Sequence, residues 1–146
     1  MRIQDMVGFR LVAALMCIWL AGCSDPGNTV AMAEQTADKF YQAVKSEDFE
    51  KAAGYFEDTP SDPRGRWLAQ LRENNAKLGA LQGYKIVDRE VDTVYSGTRY
   101  VFVYRTNYSK STARETLILF DGVSTFGGGD KNTMVIQGLV VKAPGL

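Results

Sequence analysis

Apolar residues early in the chain fall at Ala33, Ala37, Phe40, Tyr41 and Val44, a spacing that puts them on one stripe of a helix. Ser46 reads as the start of a second helix, with Glu47 and Asp48 in its first turn, where the helix dipole favours anions. Phe49, Ala52, Ala53 and Phe56 form its stripe, and Pro60 closes it. Asp62 followed by Pro63 reads as an N-cap with proline at the first position of a third helix, which carries Trp67, Leu68, Leu71 and Leu78 and stops at Gly79. Beyond Gly83 the pattern turns to strands rich in β-branched and aromatic residues, over 84–95, 98–108, 112–120 and 133–142. They are separated by Ser96-Gly97, by Ser109-Lys110-Ser111 and by a Gly- and Ser-rich loop over 121–132. Helices followed by hairpin-connected strands predict an α+β fold, with N-terminal helices packed on a curved antiparallel sheet of about four strands.

The first residues follow a different pattern. Arg2 and Arg10 flank a charged start, and residues 11–22 are then almost wholly apolar, too short a run for the roughly 20 residues of a membrane-spanning helix. This is the layout of a secretory signal. Leu20-Ala21-Gly22-Cys23 follows and resembles the bacterial lipobox. The resemblance implies a signal peptide over 1–22, cleavage before Cys23, and a Cys23 thiol carrying acyl chains. It also implies a bacterial envelope lipoprotein. Ser24 after the cysteine resembles the outer-membrane sorting state, facing the periplasm, although Asp25 stands one place later. Asp25-Pro26-Gly27-Asn28-Thr29 breaks regular patterning, so residues 23–32 read as a lipidated tether and 33–146 as a single domain. Nine extended residues would reach about 30 Å.

The order of elements, the Phe40-Tyr41 helix and the Ser46-Glu47-Asp48-Phe49-Glu50-Lys51-Ala52-Ala53 opening of the second helix are similar to small members of the nuclear transport factor 2-like superfamily, a cystatin-like cone. Relatives often carry Trp near the start of the last strand, where this chain has Met134. The resemblance implies a hollow between helices and sheet where polar groups gather. Enzymes of that superfamily commonly use an Asp/His pair, and this chain contains no His.

Composition narrows the chemistry further. The chain has 146 residues with 17 basic and 17 acidic side chains, a balance unsuited to holding nucleic-acid phosphates. Charge is uneven along the chain: residues 34–58 carry net −4 and residues 63–114 net +6, with the bases scattered. Of the two cysteines, Cys17 leaves with the signal and Cys23 becomes a thioether, so no thiol remains for a disulfide, a nucleophile or a metal. No cofactor and no metal are expected. Gly127-Gly128-Gly129-Asp130-Lys131 lacks the spacing of a phosphate-binding loop and joins two strands, so it reads as a mobile loop.

Two groups of side chains remain as candidates. Tyr100, Phe102, Tyr104 and Tyr108 share one face of a strand, with Val101 and Val103 on the other. They read as core against the helices, with a ligand or peptide surface as the alternative. Glu115 is in phase with Ala113, Leu117 and Leu119, which would turn it inward, where a carboxylate needs a partner; the favoured reading is a strand-end glutamate that reaches solvent or pairs with an arginine. Arg89, Arg105 and Gln137 are the candidate partners. Tyr100, Tyr104, Arg105, Glu115 and Gln137 therefore make up the possible ligand site. The expected function is a membrane-anchored, non-catalytic binding or interaction module for an envelope protein, a peptide or a small apolar ligand. The alternative is a small hydrolase or isomerase working through a carboxylate in the hollow. Self-association through the sheet is a third possibility.

Overall fold

In the computed structural model, residues 26–122, 134–144 and 146 are described. The signal segment, the lipobox with Cys23, and the Gly127-Gly128-Gly129 loop lie outside them. The described chain forms three helices, α1 (Pro26–Lys45), α2 (Phe49–Ala53) and α3 (Arg64–Leu78). Four strands follow: β1 (Leu81–Val94), β2 (Gly97–Tyr108), β3 (Thr112–Gly122) and β4 (Val135–Lys142). The strands form one antiparallel sheet in the order β1-β2-β3-β4. Among the described residues, no helix is long and apolar enough to cross a membrane.

The predicted stripe of α1 is the buried one: Ala33, Ala37, Phe40, Tyr41 and Val44 all lie in the core. The helix begins earlier than its apolar pattern, at Pro26 and not after Met32, so most of the expected irregular tether is helical. Proline is well placed at a helix start, because its fixed φ suits the first turn and its missing N–H would be unpaired there anyway.

The second and third helices also depart from expectation at their starts. α2 is only one turn long, and its cap is Asp48, whose carboxylate accepts from the Lys51 N–H at 3.1 Å. Ser46 instead donates to the Ala43 carbonyl at 3.0 Å, closing off α1. Beyond α2 the chain extends, so that Phe56 bridges Ile136 in parallel while Tyr55 and Glu57 exchange backbone bonds of 2.8 Å with it. This segment covers the free edge of β4 at its start, around Ile136, where an open edge would otherwise invite pairing with another chain. Pro63 occupies the cap position of α3, and the Arg64 N–H is met by Asp58 at 3.1 Å. Asp62, expected as the cap, pairs with Arg66 at 3.0 Å.

One layer of helices covers one face of the sheet. Phe40, Tyr41, Phe56, Trp67 and Leu71 meet Tyr100, Phe102, Tyr104, Leu117, Leu119 and Ile136 in a single cluster. Phe56 stacks on Trp67 at 4.3 Å and meets Phe40 edge-on at 5.6 Å, arrangements favoured by the ring quadrupole. Irregularities of register at Ile86/Asp88 on β1 and beside Gln137 on β4 bend the sheet around this layer. The long edge strand β1 carries Asp88, Arg89, Glu90 and Asp92 in its exposed second half, which discourages edge-to-edge association.

Gly79 ends α3 at φ +86°, and a Cβ at this position would run into the Ser109 hydroxyl. Gly79→Ala is expected to lower stability in urea unfolding by at least the roughly 1–2 kcal/mol of a left-handed alanine. An unchanged midpoint and slope would contradict this role for the turn.

Candidate functional site

Glu115 is the one acidic side chain buried among the described residues, at 1% exposure. β3 delivers it to the helix-facing side through the alternation it shares with Ala113, Leu117 and Leu119. None of the expected partners reaches it. Arg105 follows Tyr104 on β2 and therefore points to the opposite face of the sheet. Arg89 pairs with Phe102, which pairs with Leu117, leaving it displaced along the sheet from Glu115; it bonds Glu34 of α1 at 3.1 Å. Across β4 the neighbour of Glu115 is Val141, while Gln137 sits toward the other end and donates to Glu57 at 3.1 Å.

The carboxyl is held by hydroxyls. Tyr108 donates to Oε1 at 2.6 Å, Thr106 reaches the same oxygen at 3.1 Å, and Tyr41 of α1 donates to Oε2 at 3.0 Å. The sequence showed Tyr108, yet its partnership with Glu115 depends on the β2–β3 turn and could not be read from phase alone. Tyr41 was legible only as an apolar stripe residue.

Burial raises the affinity of Glu115 for a proton above its ordinary value of 4.5, and the bonds from Tyr108, Tyr41 and Thr106 oppose the shift without cancelling it. Thr106 gives a geometric reason for the same direction. Its single hydroxyl proton faces both the Ala113 carbonyl at 3.3 Å and Glu115, so while it serves the carbonyl, its lone pairs can accept from a protonated carboxyl. The surrounding phenols are themselves pushed up: Tyr108 and Tyr41 by burial first and then by the neighbouring Glu115. They therefore remain hydrogen-bond donors at any physiological pH.

Space beside the carboxyl is small. The cavity bounded by Tyr41, Asn74, Tyr108, Glu115 and Leu139 has a volume of about 10 Å³, at the lower limit for one water molecule. A substrate does not fit there. Tyr100 and Phe102 fill the core beside it, and Tyr104, 3% exposed, closes against Tyr41 at 4.5 Å. The hollow expected between helices and sheet is thus packed with the aromatic residues of β2.

Larger openings lie outside this core. A groove of about 450 Å³ between α1 and β1 is lined by Glu34, Asp38, Tyr84, Lys85, Ile86 and Tyr104. Tyr84 donates to Asp38 at 2.6 Å and stacks on Tyr41 at 4.8 Å, and burial followed by that hydrogen bond raises its pKa to about 12. The Tyr104 hydroxyl meets no hydrogen-bond partner among the described residues, although it lies within the fields of Glu34, Asp38 and Arg89. Arg105 lines a separate open hollow of about 550 Å³ on the other face, with Val87, Asn107 and Arg114. The five residues expected to form one ligand site are therefore divided: Tyr100 and Glu115 in the core, Tyr104 at the groove, Arg105 on the outer face, and Gln137 exposed on β4. Among the described residues, no group of three or more His, Cys, Asp or Glu side chains is placed to hold a metal.

No protein-family model matches the chain, and no curated protein does. Solved structures do match, two of them as follows. One, from Catenulispora acidiphila, is 15% identical with a TM-score of 0.55, over 80% of this chain and 92% of that one. The other, Bd1075 of Bdellovibrio bacteriovorus, is 13% identical with a TM-score of 0.51, over 74% of this chain and 38% of that one. This chain thus spans well under half of the Bdellovibrio protein. At such identities the likeness carries the architecture alone, helices first and then an open four-stranded antiparallel sheet.

A raised Glu115 fixes the sign of a pH effect. The folded state keeps a proton that the unfolded chain releases, so the stability this group supplies is full below 4.5 and declines as pH rises through the higher folded value. Urea unfolding of wild type and Glu115→Gln across a pH series is expected to show the difference moving against the wild type as pH rises above 4.5. A difference that stays constant with pH would refute this protonation state.

Proposed function

We propose that the chain is a lipid-anchored, non-catalytic binding or interaction module of the bacterial envelope, built on a nuclear transport factor 2-like fold. One observation carries the non-catalytic part. The buried carboxyl has its oxygens occupied by Tyr41, Tyr108 and Thr106, with only about 10 Å³ of space beside it. A general base must come within hydrogen-bond reach of the proton it removes, and nothing larger than water reaches Glu115. The competing carboxylate hydrolase or isomerase would require this core to open. The fold reading is supported by three N-terminal helices on one face of a bent antiparallel sheet.

The ligand surface that best suits such a module is the groove of Asp38, Tyr84 and Tyr104. It combines aromatic faces, a carboxylate held only by neutral donors, and a phenol with hydrogen-bonding capacity to spare. Its size falls within the range of small-molecule sites. The anchoring part rests on the Leu20-Ala21-Gly22-Cys23 segment behind its apolar run. Placement at the outer membrane, facing the periplasm, follows from Ser24.

Two measurements test the two parts. Cys23→Ala is expected to move the protein from the membrane fraction to the soluble fraction of the envelope; unchanged membrane partition would overturn the anchor. An NMR screen of small fragments against the Cys23→Ala protein is expected to give shifts centred on Asp38, Tyr84 and Tyr104. Hits centred on Glu115 and lost in Glu115→Gln would favour the enzyme instead.

A further inference from the structure

The earlier start of α1 changes where the domain sits. Only Ser24 and Asp25 separate Cys23 from Pro26, the first residue of the helix. At ~3.3–3.6 Å per extended residue, that link spans at most about 10 Å. The anchor reading therefore places the N-terminal end of α1 against the lipid, whereas a nine-residue tether would have let the domain stand off.

The contacts of α1 show which part of the sheet shares that end. Glu34 bonds Arg89 and, one turn later, Asp38 bonds Tyr84, so α1 runs antiparallel to β1. From Glu34 back to Pro26 the helix rises about 12 Å. From Arg89 forward to Val94 the strand rises about 16 Å. The start of α1 and the tip of the β1–β2 hairpin thus stand at nearly the same level.

Among the described residues, nothing covers the apolar side chains of that tip. Tyr95 is fully exposed, Val91 is 49% exposed and Val94 is 44% exposed, with Met32 of α1 at 44% on the same half of the molecule. Residues 93–98 carry no charge; of the ionic groups that border them, Asp92 and Arg99 pair with each other at 3.2 Å and Asp121 stands across from Thr98. A surface that enters the lipid interface is served by these properties: exposed apolar side chains, a tyrosine with its polar tip, and a turn that carries no charge of its own.

We infer that the β1–β2 hairpin tip, through Val94 and Tyr95 with Val91 beside them, rests in the interface of the bilayer that holds the Cys23 acyl chains. The domain is then docked on its membrane in one orientation, with the Ser109-Lys110-Ser111 turn and the C-terminal end of α3 facing away. This inference rests on the lipid-anchor reading and adds to it a second, protein-borne contact.

The test uses the acylated chain reconstituted in phosphatidylcholine vesicles, with a spin label at Tyr95→Cys or, as the distal control, at Ala76→Cys on exposed α3. Tyr95 makes no packing contact to lose. The ratio of oxygen to nickel-chelate accessibility is expected to be several-fold higher at position 95 than at 76. Equal ratios would overturn the docking while the vesicle-bound protein still upheld the anchor. Spin–spin coupling between labels at position 95 of two chains would overturn it in favour of a second copy. A chain whose mass shows no acyl group would remove the anchor reading, and the docking with it.

Discussion

A carboxyl buried among hydroxyls ties the helical layer to the sheet. Glu115 stands on β3, Tyr108 and Thr106 reach it from β2, and Tyr41 descends from α1, so one side chain joins a hairpin to a helix distant in sequence. Tyr41 is fixed a second time, by stacking on Tyr84 of β1 and by its contact with Tyr104. The network is polar where the surrounding core is apolar, and a polar group inside a core is tolerated only when its partners are in place. That requirement specifies how α1 lies on the sheet more narrowly than apolar packing does, because apolar contacts allow sliding and hydrogen bonds to a fixed carboxyl do not.

The same arrangement consumes the chemistry that a carboxylate in a hollow would otherwise offer. Tyr100, Phe102 and Tyr104 fill the interior, and the polar apparatus that remains available lies on the flank of α1 and β1, where Asp38, Tyr84 and Tyr104 border a groove. Structure and recognition are thereby separated in space. The core can stay closed while a ligand occupies the flank.

Much of the architecture was legible in the chain because it rests on periodicity. The stripe of Ala33, Ala37, Phe40, Tyr41 and Val44, the alternation through Tyr100 to Tyr108, and the stop at Gly79 each follow from a local rule that the tertiary structure obeys. The phase of Glu115 was legible for the same reason, but the favoured reading put its carboxyl at solvent or on an arginine, and the structure buries it. Its partners were not, because they depend on register: the pairing of Tyr104 with Glu115 and of Phe102 with Leu117 decides which residues lie alongside. Arginine was expected on grounds of charge, but hydroxyls of β2 and α1 were closer and hold the buried carboxyl without a cation. Caps were misread where two capping side chains compete. Asp48 displaced Ser46, and Asp58 took the Arg64 N–H that Asp62 was expected to serve. The early start of α1 was hidden because Pro26, Gly27 and Asn28 read as breakers, although Val30 continues the stripe onto the core.

The most direct test of the account is the titration of Glu115 itself, followed through the ¹³C resonance of its side-chain carboxyl in the folded protein. The account predicts a midpoint above 4.5, with the Tyr41 and Tyr108 hydroxyl protons shifting in step with it. A midpoint at or below that value would mean that solvation or donated bonds outweigh burial, and would contradict the closed, dry core on which the non-catalytic reading stands.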